Sequence, residues 1–432
     1  MKSGRFALAA GLIIAVAALT NRPAAFAVTA KKNIRKVRTR KSPLRSRPEL
    51  IARITDRLRN SPTALADPAA LNPFFERLST GGQLSILQYG DSHTAADLWT
   101  GELRRLFQAK FGDGGAGFSH AGRPWNSYRR EDVRSSTSKR WYTDGLAGRS
   151  GDGKYGLAGV SINAKRPGEW VSLEASGPVL QVWYLQQPEG GSLEITDGGQ
   201  PVETISTAGE AGPGYYQHQA PNGRHEYLLR TTDRAPVRLF GWVTGNSDGL
   251  TYEMLGINGA QASMILDWDQ HLLTDQIRHR NPALIVLAYG TNEAGNRSLT
   301  EQAYCELLKS VIGRMRAAAP EAAILVIGPP DRALRRGRKW LPYLPVDRII
   351  AAQRAATAQA GCAFYNLRVK MGDTGIMHEW VLAGLAQPDH VHLTGAGYRL
   401  IAQALYADVI AQYDVFRKAQ GEKSSPVPAP PD

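Results

Sequence analysis

The chain has 432 residues, 43% of them apolar and 21% charged, with a net charge of +13 at neutral pH and two cysteines. That length holds two domains with cores of their own, and the apolar content excludes global disorder. Two cysteines far apart, with no second pair at metal-site spacing, argue against structural zinc.

Lys2 and Arg5 precede an apolar stretch from Phe6 to Leu19 and then Ala25-Phe26-Ala27, the three-part pattern of a secretory signal over residues 1–27. The competing reading is an uncleaved membrane anchor, although the apolar run is shorter than the ~20 residues of a spanning helix. The expected location is therefore the periplasm or another exported compartment. Export would let Cys305 and Cys362 pair, which would add roughly 4 kcal/mol if geometry permits.

Residues 28–60 read as a basic, partly disordered arm. From Lys31 to Asn60 twelve Lys or Arg stand against Glu49 and Asp56, so much of the excess charge sits here, in a stretch too polar and proline-broken to build a core. The arm reads first as a solvated tether and second as a region drawn to an anionic envelope surface. No nucleic-acid partner is expected, because no stacking-aromatic motif accompanies the basic run.

Beyond the arm, apolar runs of strand length alternate with helix-period segments, the pattern of a parallel sheet with helices on both faces. Five strands are expected, at Leu84–Tyr89, about Leu250–Gly256, Ala283–Tyr289, Ile324–Ile327 and Ala363–Leu367. Helical segments follow them, beginning near Ala95, Ala260, Leu299, Val346 and Ala396. Residues 61–117 and 249–416 thus form the core. Residues 417–432, Pro-rich at their end, read as a disordered tail.

Residues 118–248 break this rhythm. Turn signals at "EGGS", "DGGQ" and "PNGR" separate short alternating runs such as "EWVSLEAS", "PVLQVWYL", "GSLEITD", "HEYLLRTT" and "PVRLFGWV", which suggests an inserted β-sandwich. A structureless loop of that length does not belong in a compact domain.

"GDGGAG" and "GDGKYG" match the dinucleotide-binding pattern, but neither opens a helix directly after a strand. No cofactor is expected. His390 and His392 could ligate a metal, but no third ligand is suggested and no metal is expected.

Open α/β sheets bind ligands at the C-terminal ends of their strands. Ser92 closes the first strand, Gly259 follows the second in "GINGAQ", Asn292 follows the third in "YGTNEAGN", and Asp389 and His392 lie in "QPDHVHLTGAGY" before the last helix. Each type has a task in acyl transfer. A serine hydroxyl needs a base, His392 can serve if a carboxylate fixes its tautomer, and Asp389 stands three positions away. His390 competes for the base role, but adjacent side chains splay apart. The backbone N–H groups of Ser92 and Gly259, with the Asn292 amide, would stabilise the tetrahedral oxyanion. Alone, Ser92 could equally be a helix cap, Asn292 a turn residue and Asp389 a loop brace.

The blocks "GDSH", the glycine of "GING", "GTNE" and "DHVH" resemble, in order, those of the SGNH (GDSL-like) hydrolases. Within that family the wording of the first two blocks, with a β-rich insert between them, is similar to the periplasmic peptidoglycan O-acetylesterases of Gram-negative bacteria. The resemblance implies a three-layer α/β/α core interrupted by a carbohydrate-binding-module-like β-sandwich. It implies Ser92 as nucleophile, Asp389 and His392 completing the triad, and Gly259 and Asn292 in the oxyanion hole. His93 stands where the wider family has leucine and Glu293 where aspartate is usual.

The expected function is an exported serine esterase that removes O-acetyl groups from a cell-wall or extracellular polysaccharide, peptidoglycan first among them. The alternatives are an O-acetyltransferase using the same triad, and a carbohydrate-binding protein whose site is vestigial.

Overall fold

The structure is a computed structural model that describes residues 48–148 and 151–421. The expected signal, most of the basic arm and the end of the tail lie outside the described residues. Among those residues no helix is long and apolar enough to cross a membrane.

The strands Gln83–Gly90, Gly249–Gly256, Leu284–Ala288, Ala323–Ile327 and Ala363–Tyr365 pair in parallel, the second at one edge beside the first, then the third, fourth and fifth. The order 2-1-3-4-5 reverses between the first and third strands, which opens a crevice at their C-terminal ends. The sheet has six strands rather than the expected five. Leu65–Ala66 adds an antiparallel edge beside Ala363–Tyr365, too short a segment to carry an alternating pattern in the sequence.

Strand side chains alternate strictly between the two faces. Ile86, Tyr252, Val286, Leu325 and Tyr365 enter one apolar cluster with helices Leu98–Phe111 and Gly395–Ala419. Tyr89, Leu255, Leu287, Val326 and Phe364 enter the other, with helices Gln270–Arg280, Glu301–Ala318 and Pro345–Ala360. Covered on both faces, these strands read as nearly continuous apolar runs. The buried polar residues among them have partners: Gln88 accepts from the Tyr252 hydroxyl at 2.6 Å and donates to Thr94 Oγ1 at 3.4 Å, and Thr251 Oγ1 donates to Glu253 at 3.0 Å.

Helix boundaries differ from expectation in two informative places. The segment after the first strand divides into a short helix, Ser92–Ala95, and the helix beginning at Leu98. Asp97, at φ 55°, makes the break and is held by the buried Arg104 at 2.8 Å. The second helical segment divides into a 3-10 turn, Ala262–Asp267, and a helix that starts after Asp269 caps the Leu272 N–H.

The basic arm is not unstructured to its end. Pro48–Asn60 is a helix that buries Ile54 and Leu58, and Arg53 and Arg57 reach Glu379. Its charge density reads as a sign of solvation, whereas one apolar stripe suffices to dock it. At the other end, the last helix continues to Ala419, into the expected tail.

Residues 118–248 carry two antiparallel sheets, one of five strands and one of six, the sixth being the short strand Gly117–Ser119, which carries Phe118 and pairs with Val237–Gly245. Val171, Leu173, Leu193, Ile195 and Leu229 of one sheet share a core with Leu180, Val182, Leu239 and Trp242 of the other. The opposite face of the six-stranded sheet does not face water. Its Trp183, Leu185 and Phe240 join Tyr89, Trp268 and Leu272 in the parallel sheet's own cluster. The Tyr215 and His279 rings stack with centroids 4.0 Å apart, and the Tyr89 hydroxyl donates to the Leu157 carbonyl at 3.0 Å. All described residues accordingly belong to one compact unit.

Candidate active site

Ser92 sits at the switch point of the sheet, one residue beyond Asp91. It is Asp91, not Ser92, that caps the short helix, accepting the His93 N–H at 2.9 Å. The serine is thereby relieved of capping, and its hydroxyl points elsewhere. The helix approaches the strand ends closely because Gly90 and Gly256 lack side chains: a Cβ on Gly90 would strike Thr94 and the Ala288 carbonyl, and one on Gly256 would strike the Ala95 backbone.

Ser92 Oγ lies 2.9 Å from His392 Nε2, and His392 Nδ1 lies 2.7 Å from Asp389 Oδ2. The other carboxylate oxygen of Asp389 accepts the backbone N–H groups of Val391 and His392 at 2.9 and 3.0 Å. Burial raises the Asp389 pKa, but the His392 ring and these two N–H groups outweigh it and hold the carboxyl below its ordinary range. The aspartate thus stays ionised opposite the imidazole. His390 does not reach Ser92. Its ring is turned away into contacts with His378, at 2.9 Å between ring nitrogens, and with Trp340, stacked 3.4 Å away, and its backbone takes a left-handed φ of 57°.

Gly259 has a φ of 76°, a conformation that favours glycine, on an exposed turn where its backbone is open to an incoming group. Asn292 Nδ2 donates to the Ala260 carbonyl at 2.8 Å. An amide nitrogen carries two protons, so this bond fixes the side chain while the other proton remains available. Ser92 N–H belongs to the first turn of a helix, where backbone donors lack intrahelical partners. Ser92, His392 and Asp389 are thus joined in one hydrogen-bonded chain, and Asn292 is tied to Ala260, next to Gly259.

Sequence reasoning missed the polar layer beneath them. Asp91 is buried and its pKa is pushed up to about 6, by burial above all. His93 is buried, its ring 5.1 Å from that of His392 and its Nδ1 2.8 Å from the Tyr398 hydroxyl. Burial, then the neighbouring His392, lowers its pKa to about 3, so it is neutral. Glu293 accepts the Ala262 N–H at 2.8 Å, bracing the turn that follows Gly259, and burial pushes its pKa up to about 7. Asp91, His93, Thr291 and Tyr398 line a cavity of about 20 Å³, room for a single water. The departures at His93 and Glu293 were visible in the sequence, but their partners Tyr398 and Ala262 were not.

Among the described residues no group of three or more His, Cys, Asp or Glu is placed to hold a metal ion. Cys305 and Cys362 are free and buried.

Residues 207–400 match the GDSL-like Lipase/Acylhydrolase family, a span that contains Gly259, Asn292, Asp389 and His392. A solved peptidoglycan O-acetylesterase is similar over 82% of this chain and 99% of that one, with 25% identity and a TM-score of 0.70. The chain resembles the SGNH hydrolases. It acts on ester bonds and resembles the peptidoglycan O-acetylesterases. A family two carbohydrate esterase from Clostridium thermocellum in complex with cellohexaose matches over 60% of this chain and 95% of that one, at 13% identity and a TM-score of 0.30. One from Cellvibrio japonicus matches over 65% and 99%, at 12% and 0.27. Likenesses that slight carry no argument. No curated protein sequence matches the hydrolase.

Proposed function

We propose that this hydrolase is an exported esterase that removes O-acetyl groups from a cell-envelope glycan, with peptidoglycan as the polymer. The observation that carries the chemistry is the continuous chain from Ser92 Oγ through His392 to Asp389, at 2.9 and 2.7 Å. His392 takes the serine proton as Oγ attacks the acetyl carbonyl, and Asp389 holds the imidazole in the required tautomer and stabilises its charge. The oxyanion is met by the Ser92 and Gly259 N–H groups and the second Asn292 amide proton, each worth on the order of 3 kcal/mol in the barrier. Collapse expels the sugar hydroxyl, which recovers the proton from His392, and water then releases acetate from Ser92.

The choice of glycan rests on the likeness to a solved peptidoglycan O-acetylesterase across nearly its whole length. Export rests on the three-part N-terminal pattern, and attraction of the basic arm to an anionic surface on its charge. The insert, read as a β-sandwich, would help hold polymeric substrate. The side chains of His392 and Asp389 are 38% and 48% exposed, so water reaches the acyl-enzyme, which favours hydrolysis over transfer.

The test is acetate release from O-acetylated peptidoglycan by the wild type and by Ser92→Ala, with and without an acceptor glycan. Release by the wild type alone supports the esterase. Acetyl appearing on the acceptor in place of free acetate would make the protein a transferase, and no release from any acetylated glycan would remove the assignment.

A further inference from the structure

The chain leaves the fourth parallel strand through Pro329 and Pro330 and, before the next helix, forms a hairpin of Ala333–Arg336 with Lys339–Pro342. Its position after that strand puts it on the same rim as the site. It is rooted in the catalytic loop. The Ala333 N–H donates to the His390 carbonyl at 3.1 Å, and Trp340 stacks on the His390 ring at 3.4 Å, one residue from Asp389.

The hairpin and its approach carry Arg332, Arg335, Arg336, Arg338 and Lys339. Arg332 lies over the Tyr343 ring at 4.5 Å, and the other four are exposed. Among the described residues no carboxylate pairs with any of the five; the guanidinium of Arg335 donates only to the Gly337 carbonyl, at 3.1 Å. In the hairpin register Arg336 stands directly opposite Lys339, and like charges so placed destabilise a strand pair. No carboxylate among the described residues offsets this concentration of charge, so the exposed cations are open to an external anion.

We propose that this hairpin is a substrate-binding arm that engages the carboxylates of the peptide stems, so that the preferred substrate is an acetylated glycan strand still bearing those stems. The inference rests on the esterase reading above and names the anionic partner of that same site. Two paired strands of four residues extend roughly 10 Å from their root, at ~3.3 Å per residue, so the cations reach past the reacting acetyl group to neighbouring units of a polymer. The exposed Leu341 and Leu344 beside them, 40% and 62% accessible, offer apolar contact to the aliphatic parts of such stems. A membrane surface is the weaker match. The arm is fixed to the catalytic loop, where a lipid bilayer would compete with substrate for the rim.

The experiment compares the wild type with the triple variant Arg336→Gln, Arg338→Gln, Lys339→Gln, whose positions are exposed at the hairpin tip. Three substrates are used: O-acetylated peptidoglycan with intact stems, the same glycan stripped of stems by an amidase, and an aryl acetate. At low salt kcat/KM on the stem-bearing polymer, relative to that on the aryl acetate, should fall about tenfold or more, chiefly through KM. Stripping the stems, or raising the salt until the Debye length is a few ångströms, should erase the difference between the two proteins. An unchanged ratio, or an equal loss on stripped glycan, overturns the proposal. If the wild type cleaves the aryl acetate but no glycan, the esterase reading fails and the arm is judged by binding alone. Cosedimentation with stem-bearing peptidoglycan that the variant loses would still support it; variant-sensitive flotation with phosphatidylglycerol vesicles and no cosedimentation would overturn it.

Discussion

The His93 ring packs against the His392 ring, centroids 5.1 Å apart, while its Nδ1 is tied to the Tyr398 hydroxyl at 2.8 Å. The candidate base therefore rests on a neutral, buried second histidine whose orientation is set by the last helix. Tyr398→Phe removes that tie and leaves a buried nitrogen unpaired, which should cost about 1–3 kcal/mol of stability. Because His392 would lose its fixed seat, kcat should fall about tenfold with KM little changed. Adding His93→Leu should recover most of the lost stability, since removing both partners of a buried hydrogen bond is nearly neutral. Urea unfolding of the four proteins of this cycle measures the coupling, and additive effects would show that the two side chains act independently.

Asn292→Ala tests the oxyanion assignment. The amide would meet charge that develops only in the transition state, so kcat should drop on the order of a hundredfold or more while apparent affinity holds. Ser92→Ala should lose hydrolysis altogether and keep its fold, because its hydroxyl packs nothing. If Asn292→Ala changed KM alone, the residue would be a substrate-binding group.

The candidate triad was legible because each member sits at a strand end beside glycine or before a helix, places that short motifs mark. The five parallel strands were legible because burial on both faces makes them apolar runs. What the sequence hid depends on distant partners. His93 reads as a departure from leucine until Tyr398 is beside it. Nothing local to the run from Arg332 to Lys339 ties it to the site; the tie is Trp340 on the His390 ring. Leu65–Ala66 owes its strand conformation to pairing with Ala363–Tyr365 alone, and no local propensity could announce two residues.

Glu293 gives stability a defined pH dependence. Burial raises its pKa from an ordinary 4.5 to about 7 in the fold. The unfolded carboxyl releases its proton first as pH rises, so the contribution is full below about 4.5 and is lost as pH climbs through 7. With about 1.4 kcal/mol per pKa unit, the loss is on the order of 3 kcal/mol. Glu293→Gln keeps an oxygen for the Ala262 N–H but has no proton to lose. Relative to the wild type it should gain stability between pH 5 and pH 8. A pH-independent difference in urea midpoints would mean that Glu293 is not a buried neutral acid.

The insert should prove inseparable from the catalytic core. Trp183 and Phe240 from the insert, with Tyr89 and Trp268 from the core, are each less than 5% exposed within one cluster. Excising residues 118–248 would remove Trp183 and Phe240 and uncover Tyr89, Trp268 and several aliphatic neighbours. At about 1.5–3 kcal/mol per large side chain, a handful of them is comparable to the ~5–15 kcal/mol that stabilises a typical fold. The deletion should therefore lose activity on an aryl acetate and on acetylated glycan alike, together with its cooperative thermal transition. Substrate binding by the insert needs a gentler probe, and Tyr142 supplies one. Its ring is 63% exposed on an edge strand whose next residue, Thr143, donates to the Pro124 carbonyl at 2.7 Å. Ser127, a little further along that segment, meets the Asn258 amide at 3.4 Å, beside Gly259. An aromatic face so placed can stack on a sugar unit near the rim, a contact worth about 1 kcal/mol. Tyr142→Ala should lower kcat/KM on acetylated glycan about fivefold, leaving the thermal midpoint and aryl-acetate turnover within error of the wild type. Equal activity on both substrates would place the glycan elsewhere on the insert or away from it.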